Sequence, residues 1–150
     1  MVNQIVNDAS KAASIAALFS VNQKVDTANS NLAVIGSIAF KNTASVTATH
    51  GNSMNVHSLD LTSGTWLIES QITWSPNSAG RREHTIRQGS AWNSTLIAGN
   101  SQSPDPTSQT YQNCVAIVTL SADTTISVWG VQTSGVDLSV GGTVKAIRVK

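Results

Sequence analysis

The chain has 150 residues, enough for one domain with a true core and a smaller appendage. Its formal charge is +1 and only 11% of its residues are charged, far below the usual ~25% of a soluble protein; Ser, Thr, Asn and Gln fill the deficit. Such a surface argues against a basic nucleic-acid footprint and a long-range steering field, and suits an extracellular setting or close packing against copies of the same chain.

The first element is helical. Ile5, Ala9, Ala12, Ala16 and Phe19 recur every three or four residues and predict one narrow helical stripe. A second stripe follows out of phase, Leu18, Val21, Val25, Ala28, Leu32 and Ile35, spaced as a short heptad seam. Two stripes out of phase predict a break or bend near 19–21. The run "VDTANSN" is poor in helix formers, so this segment needs partners. Those partners are either other copies or the rest of its own chain. The stretch "AASIAALFSV" has the apolarity of a signal-peptide core without a basic stretch before it, and reads as part of the mature protein. No run approaches the ~20 apolar residues of a membrane-spanning helix, so no membrane insertion is expected.

Near Gly36 the period changes to two. "SIAFKNTASVTATHG" reads as a strand pair or one long strand. "GTWLIESQITW" alternates, with Trp66, Ile68, Ser70, Ile72 and Trp74 on one side and Leu67, Glu69, Gln71 and Thr73 on the other. "SPNSAG" has turn chemistry, and "RREHTIRQG" alternates again, so 64–89 is expected to be a hairpin. "SAWNSTLIAGN" gives a further strand and loop, and "SQSPDPTSQ" a surface loop. "YQNCVAIVTLS", "DTTISVWGVQ" and "GGTVKAIRVK" give three more strands. Short strands separated by turn signals predict an antiparallel sandwich or barrel.

Gly64, Trp66, Trp74, Asn77, Gly80, Arg81 and Arg82 carry a resemblance to head domains of bacteriophage tail-fibre, head-fibre and baseplate proteins: a glycine, an aromatic, an apolar run ending in an aromatic, a small turn, then Gly-Arg-Arg and an alternating strand. The strand at 112–120, "ADTTISVWGVQTSG" and "TVKAIRVK" fit the same pattern, so the resemblance covers about residues 38–150 and weakens over 90–112. It implies a mostly β fold, an antiparallel jelly-roll sandwich of the complement-globular-head and tumour-necrosis-factor type, preceded by an N-terminal helical segment and assembled as a homotrimer. The expected organisation is therefore a helical anchor or stalk over 1–36 and a head over 37–150. The implied role is a non-enzymatic virion protein, assembled in the host cytoplasm, whose residues 1–36 bind other virion proteins and whose head adheres to a host-surface glycan or wall polymer. The alternatives are a purely structural decoration protein and a carbohydrate-binding module of a cell-surface protein.

No catalytic motif, metal-ligand spacing or cofactor signature stands out, so neither catalysis, metal nor cofactor is expected. Cys114, the single cysteine, sits in an apolar run and reads as a buried, inert thiol. Trp66 and Trp74 share a face with Ile68 and Ile72 and read as core or trimer interface. Arg81, Arg82 and Arg87 read as ion-pairing side chains, with Glu83 or Glu69 as partners, or as holders of an anionic receptor. Trp129 stays ambiguous. Trp92, with Asn93 beside it and Tyr111 near the polar loop, offers the flat apolar face and amide that a saccharide site requires; the alternative is a tryptophan packed at a subunit seam. "NST" at 93–95 fits the N-glycosylation triplet, which is meaningless in a protein made in bacterial cytoplasm.

Overall fold

The computed structural model describes residues 9–150. The chain divides into two units, one ending at Ile35 and one spanning Gly36–Lys150. Ile5, from the first predicted stripe, lies outside the described residues.

In the first unit α1 runs without interruption over Ala9–Val34, so the break expected at 19–21 is absent. In its weak-forming stretch the Thr27 hydroxyl donates to the Gln23 carbonyl one turn back (2.9 Å), a side-chain bond that a helix interior accommodates without stabilising it. The helix ends as the Ile35 N–H tightens onto the Leu32 carbonyl and Gly36 takes φ +85°, a backbone state that glycine adopts without a Cβ clash. Ile15, Leu18, Phe19, Val21, Val25, Leu32 and Ile35 are all exposed.

The second unit is a sandwich of eight strands: β1 Ile38–Ala48, β2 Ser53–Leu61, β3 Gly64–Trp74, β4 Arg82–Gln88, β5 Thr95–Gln102, β6 Thr110–Leu120, β7 Thr124–Gln132 and β8 Leu138–Arg148. They form two four-stranded antiparallel sheets, β1-β8-β3-β6 (the first sheet) and β2-β7-β4-β5 (the second), which is the jelly-roll order. Residues 38–48 are one strand, and β2 is a strand that sequence patterning missed. A bulge between Asn55 and His57 breaks its alternation, leaving Val56 and His57 both buried.

The expected hairpin at 64–89 is not formed. β3 is paired on one side with β6 and on the other with β8, so it has no free edge for β4, which lies in the second sheet between β7 and β5. Residues 75–81 are therefore an arch from one sheet to the other. Gly80 sits in it at φ +72° with its α-carbon against the Thr133 carbonyl, where a Cβ would collide. The core lies between the sheets and includes Trp66, Ile68, Ile72, Trp74, Ile86, Val128, Val140 and Val144. Trp74 packs directly over Gly130, whose missing side chain makes the room: a Cβ there would lie 2.8 Å from the indole.

Candidate functional site on the two outer faces

Strand register sets the composition of each outer face. On the first sheet, Ile38 of β1, Ile147 of β8, Leu67 of β3 and Ile117 of β6 lie side by side in one apolar row. In the next row Phe40 and Val115 flank Lys145 and Glu69. Ile38, Phe40, Val115 and Ile117 are 60–69% exposed, a contiguous apolar surface of the kind that marks an interaction site. A shallow depression of about 350 Å³ lies across the second row, lined by Phe40, Glu69, Gln71, Val115, Thr143 and Lys145. Tyr111 stands further along this face opposite Thr73, its hydroxyl donating to Gln109 Oε1 at 2.9 Å.

The second sheet's outer face carries its aromatics differently. The Arg87 guanidinium stacks over the Trp92 ring at 4.0 Å, and Trp92 meets Trp129 edge to face with centroids 6.0 Å apart. Arg87 Nη1 also donates to the Ser94 carbonyl (3.0 Å), and Trp129 Nε1 to Ser127 Oγ (2.8 Å). Trp92 thereby pins the β4–β5 connection, and both indoles are half-buried. Asn93 is exposed at the tip of this connection. On the same face Arg81 Nη2 pairs with Glu83 Oε2 at 3.0 Å, beside a depression of about 290 Å³ lined by Thr85, Leu96, Gly99 and Asn100. Glu69, named above as a possible partner of these arginines, is on the other sheet's outer face.

Trp92 and Asn93 therefore do not share a site with Tyr111: the two groups lie on opposite outer faces. Three of the four tryptophans carry an arginine instead, Arg148 over Trp66, Arg82 over Trp74 and Arg87 over Trp92.

Between the sheets runs a polar seam. Arg82 is wholly buried without a carboxylate; its guanidinium donates to the carbonyls of Asn77, Ala79 and Arg81 and so ties down the arch, and burial lowers its pKa. Gln112 accepts from Trp74 Nε1 (2.8 Å) and donates to the Arg82 carbonyl across the gap (3.1 Å). Gln132 donates to the Ala48 carbonyl (3.0 Å). Cys114 is buried, and desolvation pushes its thiol pKa up, away from reactivity. The two buried histidines of this seam, His57 and His84, were not anticipated as a pair. They lie on strands separated in the second sheet by β7, and no spacing rule in the sequence joins them. Among the described residues no three His, Cys, Asp or Glu side chains converge as metal ligands.

No family model matches the chain, and no curated protein matches it by sequence. Solved structures do match. One is the crystal structure of an infectious bursal disease virus VP2 subviral particle (TM-score 0.57, 10% identity, 75% of this chain and 33% of that one). Another is the structure of infectious bursal disease virus Gt strain (TM-score 0.56, 10% identity, 75% and 32%). A third is Eiger TNF from S. frugiperda (TM-score 0.52, 15% identity, 77% of this chain and 92% of that one). The chain spans about a third of the length of the bursal disease virus chains it matches and nine-tenths of the Eiger chain. These likenesses establish a jelly-roll sandwich of the kind found in viral capsid proteins and in tumour necrosis factor.

Proposed function

We propose that the chain is a non-enzymatic virion structural protein of the fibre, tail or baseplate kind, a self-associating jelly-roll head on a helical stalk. The observation that carries this reading is the apolar face of the first sheet, where Ile38, Phe40, Val115 and Ile117 are exposed beside half-buried Leu67 and Ile147, on a protein with few charged residues. Covering an exposed aliphatic or aromatic side chain is worth about 1.5–3 kcal/mol. The four most exposed members of the face are each about two-thirds bare, so together they supply ~4–8 kcal/mol per copy. Association costs about 4–15 kcal/mol. The head face alone is thus marginal, and the exposed heptad seam from Leu18 to Ile35 adds the rest. A homotrimer covers each surface with its counterparts on the other copies.

On this reading residues 1–36 attach the assembly to other virion proteins. The particle is built in the host cytoplasm, and any adhesion to host-surface glycan works by avidity across copies. A specific observation favours the purely structural variant, a decoration protein: the Trp92 face that a sugar would stack on is already taken by Arg87. Native mass spectrometry of the full chain at micromolar concentration tests the proposal. A trimer supports it and a monomer overturns it. Glycan-array binding that is lost in Trp92→Ala decides for adhesion over decoration.

A further inference from the structure

We propose that His57 and His84 are an acid-sensitive latch between the two sheets, closed while both rings are neutral and released when mild acid protonates them. Each ring spans the gap. His57, on β2 of the second sheet, shares a hydrogen bond of 3.0 Å between its Nδ1 and Thr43 Oγ1 on β1 of the first. His84, on β4 of the second sheet, shares one of 3.0 Å between its Nε2 and Ser70 Oγ on β3 of the first. Both side chains are buried to within about 1% of completeness. The remaining nitrogens, His57 Nε2 and His84 Nδ1, have no hydrogen-bond partner. A neutral imidazole needs only one N–H donor and tolerates a bare lone pair, whereas an imidazolium has two donors that both need acceptors.

The surroundings offer a second proton no carboxylate, and only the backbone carbonyls of Gly142 and Gln112 favour the charged rings. On the inward faces of the eight strands the titratable side chains are Lys41 on β1, Arg82 on β4, Cys114 on β6, Arg148 at the far end of β8 beside Trp66, and the two histidines. The inward faces of β3, β5 and β7 carry none. Three of these groups are cations, one is a thiol kept neutral by burial, and none is a carboxylate. Asp60, Glu69 and Glu83 project from the outer faces.

Burial, with Lys41 adding to it, lowers the His57 pKa to about 4; burial, with His57 adding to it, lowers that of His84 to about 4. The carbonyls of Gly142 and Gln112 oppose this only in part. The sign follows from linkage. The unfolded chain takes protons at ~6.5 and the closed fold does not, so the latch is at full strength above that pH. Strength is lost as the pH falls from 6.5 towards 4. Each proton changes the opening equilibrium up to tenfold per pH unit, so two change it ~100-fold. Asp105, held to about 2 by hydrogen bonds from Thr107 and Ser108, acts only at lower pH and does not blur this window.

The test uses the full chain, unfolded by denaturant at pH 7.5, 6.5, 5.5 and 4.5 and followed by tryptophan fluorescence. The expected result is an unfolding constant that rises steeply below 6.5, approaching ~100-fold per unit. The companion variant is His57→Asn with His84→Gln, which keeps an amide atom near each bonded nitrogen and removes the titration. Its profile is expected to be flat from 6.5 to 4.5. A flat wild-type profile, or a double variant with the wild-type slope, overturns the latch. If the double variant does not fold, NMR titration of the wild-type imidazole Cε1–H signals decides instead. Rings that stay neutral until the fold opens support the proposal, and rings that titrate near 6.5 inside the intact fold overturn it.

Discussion

The two outer faces of this sandwich are each made from four antiparallel strands, yet one has its large aromatics covered and the other leaves its apolar side chains bare. On the second sheet the large aromatics are covered from within the chain, by Arg87 over Trp92 and by Trp92 against Trp129. On the first sheet Ile38, Phe40, Val115 and Ile117 stand bare around Lys145 and Glu69. The difference comes from connections as much as from residue type. The residues that join β4 to β5 fold back over their own sheet, whereas Ile38, Phe40, Val115 and Ile117 on the first sheet stay exposed among the described residues. That exposed apolar face, on a chain so poor in charge, is what the proposed self-association would cover.

Substitutions can test that contrast in descending order of effect. Trp74 lies under both faces, fully buried and bonded to Gln112, so Trp74→Ala opens a cavity and orphans an amide. It should cost ~3–5 kcal/mol in denaturant unfolding and damage both faces together. Ile117→Lys places a charge at the β6 end of the apolar row, on its most exposed member. Dissociation of the assembly, read by analytical ultracentrifugation, should rise at least ~10-fold, while unfolding of the separated head moves by no more than ~0.5 kcal/mol. An unchanged assembly would place the partner surface elsewhere. Trp92→Ala removes the self-made cover of the other face. It should cost about 1–2 kcal/mol and leave the oligomeric state alone. Arg81→Ala breaks only an exposed pair with Glu83 and should shift stability by less than ~0.5 kcal/mol.

Much of this was legible before the structure. The strict alternation of "GTWLIESQITW" placed Trp66, Ile68, Ile72 and Trp74 on one face, because a strand with one buried side has no other way to sort its residues. The change of period at Gly36 marked where helix gives way to sheet. What failed was everything decided by partners far away in the chain. β2 was missed because its bulge breaks the alternation. The false hairpin arose because "SPNSAG" has turn chemistry whether the chain returns to the same sheet or crosses to the other one; Arg82, buried and clamping that arch, settles the choice through contacts no local pattern reveals. Trp92 and Tyr111 looked like neighbours in a saccharide site because both flank a polar loop. Trp92 lies in the β4–β5 connection over the second sheet and Tyr111 on β6 of the first, so they are on opposite faces.

The pairing of β1 with β8 has a consequence for how the molecule is made. The first strand of the head to be synthesised waits for the last, because β8 inserts between β1 and β3 and supplies both with hydrogen bonds. At ribosomal speed that delay is on the order of seconds to tens of seconds, during which both strands present open edges. Contacts so distant in sequence also close slowly once the chain is complete. The helix preceding them is finished first and needs no later residue for its own hydrogen bonds. On the reading proposed above, copies can therefore begin to associate through this helix while their heads are still incomplete, so that register between them is set before the sandwich shuts.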